Sequence, residues 1–176
     1  VIIIGVAPGL KALTYSVLDI EPPLPAVVID KDVLLGPKLP GRDDAGFLKA
    51  LVGISKKAYV HHLILEVIFE RFLVPFGRAP KPRAALAIGP ACSSREPPEH
   101  VAAVRVMLTH LAHRFSLPVT SLDETQMQAA LKPRKNESWL RVSNRLIDVP
   151  LDTKDPKLVL SVAVGLAGAL AFQGTP

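Results

Sequence analysis

The side chains able to do chemistry are few and scattered. Asp123 and Glu124 stand side by side after the apolar stretch Leu117–Leu122, and Asp155 immediately precedes Pro156 at the head of a long apolar run. Ser93 and Ser94 follow another apolar stretch, where a helix N-terminus could hold an anion, but a plain solvated loop is the favoured reading. His61, His62, His110 and His113 lack the spacing of a zinc motif such as HExxH and are expected at the surface. Cys92 is the single cysteine, so the sequence offers no internal disulfide and no thiolate zinc cluster, and a cytosolic (cytoplasmic) compartment is the default. Gly5 and Gly9 do not make a GxGxxG fingerprint and read as turn residues.

The carboxylates also have structural readings. Asp123-Glu124 suits a strand end that caps the following helix, and Asp155 before proline is a good helix N-cap. Formal net charge is +5, which is compatible with phosphate-rich partners without demonstrating them. Lys132, Arg134 and Lys135 form a small basic cluster, with Arg141 and Arg145 following.

Positioning these groups falls to a chain of 176 residues, enough for one domain with a full core, taken as residues 1–176. Half the residues are hydrophobic and a fifth are charged, which argues against global disorder. Val1–Ile20 reads as a buried strand, a turn carrying Pro8 and Gly9, and a return strand. Ala26–Leu35 reads as a third strand completing an antiparallel meander. Asp44 is placed to cap a long amphipathic helix over 46–73, with Gly53 a point where it could break. A strand is expected at 83–90, a helix at 99–115, a strand at 117–122, and short helices at 125–131 and 137–147. A final apolar helix runs to about Phe172. Its run from Leu158 is shorter than the roughly 20 residues that span a bilayer. No basic region precedes the apolar start, so a secretory signal is not expected. The order predicts a mixed sheet with helices on its faces.

The opening VIIIGVAPGLKALTYSVLDI resembles the first active-site strand of RuvC-like nucleases of the RNase H superfold, "strand, G-[IV]-D-P-G, strand". The later segments sharpen the likeness toward the YqgF/RuvX branch. Ile88-Gly89-Pro90 matches its "V-G-L-P" strand end, Val119 with Asp123-Glu124 matches "V-x-x-x-D-E-R", and Lys154 and Asp155 match its closing-helix "K-x-D". Residues 41–75 exceed the usual first helix of that branch. The largest departure is Ala7, which stands where the family carries a catalytic Asp.

The resemblance implies an RNase H-like α/β fold with a mixed five-stranded sheet: a three-strand antiparallel meander plus two parallel strands, flanked by helices. It implies carboxylates from the first strand, a later strand end and the last helix's start. Together these would hold two Mg2+ or Mn2+ ions about 4 Å apart for phosphodiester hydrolysis. Glu124 and Asp155 would be ligands, with Asp123 in support, and Ala7 leaves the first place without a ligand. Ala7 is open to three explanations: a natural pseudo-enzyme, substitution by Asp19 or Asp30, or a deliberately introduced alanine. The implied activity is a nuclease acting on RNA, in ribosomal RNA precursor processing, or on branched DNA such as a Holliday junction. The alternative is a catalytically silent module, binding nucleic acid or protein, on the same fold. Nucleic-acid binding is expected from Lys132, Arg134, Lys135, Arg141 and Arg145. The long helix 46–73 could pair with its own copy in a homodimer.

Overall fold

Three β-branched isoleucines in succession favour extended backbone, and here they need cover on both faces. Ile2–Ala7 forms β1, buried along its whole length. In the computed structural model, which describes residues 1–21, 24–35, 46–73 and 83–173, β1 is the middle strand of a five-stranded sheet. Residues Ala12–Asp19 form β2 and Val27–Leu35 form β3, giving the antiparallel meander. On the other side β1 pairs in parallel with β4, Ala84–Ile88, and β4 with β5, Val119–Ser121. The sheet order is β3-β2-β1-β4-β5.

Alternation along β1 divides the core into two layers. Ile2, Ile4 and Val6 join Leu13, Tyr15 and Val17 of β2 on one face. That face is covered by α1, Gly46–Leu73, and α2, Pro98–Arg114, through Leu65, Phe69, Val104, Leu108 and Leu111. The other face, around Ile3, Leu18, Ala85 and Ala87, is covered by α5, Pro156–Gln173. Two short helices, α3 (Glu124–Leu131) and α4 (Trp139–Leu146), pack beside α5. Each fully buried Ile, Leu or Val on these faces contributes about 1.5–3 kcal/mol.

The final helix lies against the sheet because its contact residues are small. A Cβ at Gly5 would meet the Ser161 carbonyl oxygen at 2.4 Å and Gly165 N at 2.5 Å. The expected elements all appear, with ends shifted by one to three residues. Gly53 does not break α1, which runs continuously through it. Asp44 lies outside the described residues. Among the described residues no helix is long and apolar enough to cross a membrane.

One histidine expectation needs correction. His61 is fully buried, not at the surface, and Lys57 on the same helix face is 8% exposed. His61 Nε2 lies 3.1 Å from the Leu10 carbonyl oxygen, so it ties α1 to the turn between β1 and β2. Glu96 holds the same turn, accepting from Leu10 N at 2.7 Å and Lys11 N at 3.1 Å. Burial pulls the His61 pKa below its ordinary value.

Candidate functional site

The C-terminal end of β1 is where the sequence points, and the register fixes what surrounds it. Ala7 is opposite Thr14 of β2 and fully buried. Its side chain packs with Ala12 and Cys92, against the partly buried Val33 and Leu160. Cys92 comes from the loop after β4, held by its backbone N–H donating to the Pro8 carbonyl at 2.9 Å. The Thr14 hydroxyl lies 3.9 Å from the Cys92 sulfur. Burial pushes the Cys92 thiol up; the Thr14 hydrogen bond and the Lys157 ammonium oppose this, while Glu96 and Asp155 add to it. Asp155 and Lys157 therefore lie within electrostatic reach of Cys92.

The neighbouring strand end supplies no ligand. Gly89 follows β4, and a Cβ there would meet Val164 Cγ2 at 2.1 Å, so α5 closes this position. The Gly89 carbonyl accepts from Arg105 Nη2 at 2.8 Å. β5, which leads into Asp123-Glu124, lies two strands from β1, about 10 Å across the sheet.

The expected carboxylates have local roles. Asp123 caps α3: its Oδ1 accepts from Gln126 N at 2.7 Å, and Gln126 Oε1 accepts from Asp123 N at 2.8 Å. This reciprocal pair is a capping box. Asp155 Oδ1 accepts from Lys157 N at 2.9 Å in the first turn of α5. Glu124 is exposed and lines an open cleft of about 500 Å³ with Gln128, Trp139, Lys154 and Pro156. Thus the structure gathers Glu124 and the segment next to Asp155 around one cleft, while Ala7 faces a separate, closed apolar cluster.

Neither proposed substitute replaces the carboxylate missing at position 7. Asp19 pairs with Ile2 at the far end of β2, about 17 Å along the strand from Thr14, and its Oδ1 lies 3.5 Å from the N-terminal ammonium. Asp30 accepts from the Tyr15 hydroxyl at 3.1 Å. Tyr15 belongs to the core layer on the opposite face from Thr14. That buried phenol is pushed up by desolvation first, then by Asp30.

These residues do not fit a two-metal centre. Position 7 offers no side-chain oxygen, and Gly89 offers no side chain. Among the described residues no group of three or more His, Cys, Asp or Glu side chains is close enough to hold a metal ion. The basic residues fare differently. Lys132, Arg134 and Lys135, between α3 and α4, and Arg141, on α4, are exposed, and their side chains make no ion pair among the described residues. Arg145 Nη2 lies 3.5 Å from Glu137, whose carboxylate also accepts from Arg134 N at 2.8 Å. Sequence reasoning missed Cys92 and Leu160 as neighbours of position 7, since only the register and the α5 docking bring them there.

No family model and no curated protein matches the chain. Solved structures do. The chain superposes on Thermus thermophilus RuvC with TM-score 0.73 and 17% identity, over 99% of this chain and 98% of that one. The same protein in complex with Holliday junction substrate gives TM-score 0.73 at 18% identity, over 99% and 98%. The yeast mitochondrial Holliday junction resolvase Ydc2 gives 0.59 at 13%, over 97% of this chain and 78% of that one. The fold is the RNase H-like fold of the RuvC-type resolvases, as the sequence resemblance implied.

Proposed function

We propose that this chain is a binding module for branched nucleic acid, built on the resolvase fold without a metal-dependent cleavage centre. The observation that carries this reading is the closed packing of Ala7 with Cys92 and Leu160, where two cations would need an oxygen ligand. A four-way DNA junction is the favoured ligand, because RuvC, which matches nearly the whole chain, is also solved with Holliday junction substrate. Structured RNA, with the YqgF/RuvX alliance and ribosomal RNA processing, is the competing ligand. The exposed Lys132, Arg134, Lys135 and Arg141 supply phosphate contacts, and Lys154 lines the adjoining cleft. A second reading, a nuclease using Mg2+ or Mn2+, is favoured by Glu124 and Pro156, the neighbour of Asp155, lining one cleft.

The test measures anisotropy of labelled four-way junction, duplex DNA and structured RNA across salt, and resolves the products after incubation with Mg2+ or Mn2+. Tighter binding to the junction is expected, with the DNA intact. Four phosphate contacts give a slope of log K against log salt of about −3.6. Salt-insensitive affinity removes the nucleic-acid reading. Metal-dependent cleavage that is lost in Glu124→Gln installs the nuclease reading instead.

A further inference from the structure

The cleft where α3, α4 and the head of α5 meet holds more chemistry than phosphate contacts use. Glu124 and Gln128 are four residues apart on α3 and share a face. Trp139 opens α4, and Lys154 and Pro156 stand at the head of α5. Trp139 is half-buried: it packs against the core layer of Met127, Leu131 and Val142, and it also lines the cleft. That packing holds the indole in place before any ligand arrives, which lowers the entropy lost on binding. Glu124, Gln128 and Lys154 are exposed, and their side chains have no hydrogen bond or ion pair among the described residues. Glu137, the other carboxylate of the cleft, is already engaged by Arg145 and by Arg134 N. The volume of about 500 Å³ lies within the roughly 300–1,000 Å³ of small-molecule sites, which share this pairing of apolar walls with a few polar groups.

We propose that the cleft binds one unpaired nucleobase, adenine or cytosine, stacked on Trp139 and with its phosphate on Lys154. Every base has a π-face that an aromatic ring accepts, so Trp139 alone does not choose among them. The choice comes from α3. An ionised Glu124 only accepts hydrogen bonds, whereas the Gln128 amide also donates. Together they complement an amino group beside a bare ring nitrogen, which is the Watson–Crick edge of adenine and of cytosine. Uracil, thymine and guanine put a carbonyl oxygen where Glu124 needs a donor. That edge is free only in a base without its partner. A basic peptide fits the cleft less well, because Lys132, Arg134, Lys135 and Arg141 repel it and Glu137 is taken. The base has two sources, a strand splayed open at a branch point or a free nucleotide. The first rests on the nucleic-acid reading above; the second does not.

Trp139 is the single tryptophan, so emission from the unmodified chain reports this cleft. AMP, CMP, UMP and GMP are titrated without divalent metal. Beside them run four-way junctions whose crossover bases are adenine, thymine or abasic, with anisotropy recording binding. The adenine junction is expected to quench Trp139, and the abasic junction to bind without quenching. AMP and CMP are expected to quench with a Kd at least about fivefold below that of UMP and GMP. Quenching by the junction alone assigns the site to a base in a strand, and quenching by AMP and CMP alone assigns it to a free nucleotide. Glu124→Gln gains a donor for a carbonyl oxygen and narrows the preference to within about twofold. Emission unchanged by every probe overturns the inference, and junction binding by anisotropy in that case leaves the nucleic-acid reading standing. UMP as tight as AMP, thymine quenching as well as adenine, or a preference untouched by Glu124→Gln overturns it too.

Discussion

Ala7→Asp asks whether position 7 is a packed core site or a ligand position lacking its ligand. The side chain of Ala7 is fully buried among Ala12, Cys92, Val33 and Leu160. Three added heavy atoms overpack that cluster at a cost of about 1–3 kcal/mol. The new carboxyl is also desolvated. If its pKa rises by about two units, each worth about 1.36 kcal/mol, the charged form costs about 2.7 kcal/mol near neutral pH. Lys157, close enough to act on Cys92, opposes this cost, while Glu96 and Asp155 add to it. The total is about 3–5 kcal/mol, or a Tm lower by about 6–20 °C for a chain of this length.

The pH dependence has a definite sign. A folded-state pKa above the unfolded value means that the native state binds more protons between the two, so stability falls as pH rises through that window. Below about pH 4 both states are protonated and only the overpacking loss remains. The assay is thermal unfolding of parent and variant against pH, with and without Mn2+, beside cleavage of a labelled junction. No Mn2+-dependent rise in Tm and no cleavage are expected. A repaired metal centre would behave otherwise: at a hundredfold excess over Kd, Mn2+ would stabilise the variant by about 2.7 kcal/mol. That rise, accompanied by cleavage, refutes the reasoning.

Gly5→Ala drives a Cβ into the Ser161 carbonyl of α5, backbone against backbone, and should cost about 3 kcal/mol or more in denaturant unfolding. Asp123→Ala removes the capping box of α3; a loss of about 1 kcal/mol and about 2–4 °C in Tm is expected, with junction affinity unchanged. His61, facing Lys57 and Glu96, has a folded pKa held below its ordinary value, so protonation of the unfolded state erodes stability as pH falls below about 6.5. His61→Gln keeps a donor for the Leu10 carbonyl and should flatten Tm against pH in that range.

The fold was legible because its signals are periodic. Ile2–Ile4 into a Pro-Gly turn admits little besides a buried strand and its return, and the α2 spacing is helical without ambiguity. The short helices were legible through their caps and prolines. Burial of His61 was not, because Leu63 and Ile64, close to it in sequence, are apolar yet exposed. The core face of α1 is spaced by four, and His61 belongs to that series with Leu65 and Phe69. A polar residue within an apolar series is read as a surface residue until a partner is known, and its partner is the Leu10 carbonyl, distant in sequence.

The carboxylates expose a different limit. Asp123 and Asp155 match a metal-ligand pattern and a helix-cap pattern with the same atoms at the same positions. Local sequence cannot separate the two, because a cap is satisfied by backbone two or three residues away, whereas a metal site is satisfied only by convergence. Capping by itself does not disqualify a ligand, since a carboxylate retains a second oxygen. What decides is whether strand ends adjacent in the sheet also present oxygen. β1 ends in Ala7, β4 is followed by Gly89 under Val164, and the start of α5 places Leu160 against position 7. Ala7 is therefore one of several non-ligand residues closing that end of the sheet, and restoring a carboxylate at position 7 alone leaves the others in place.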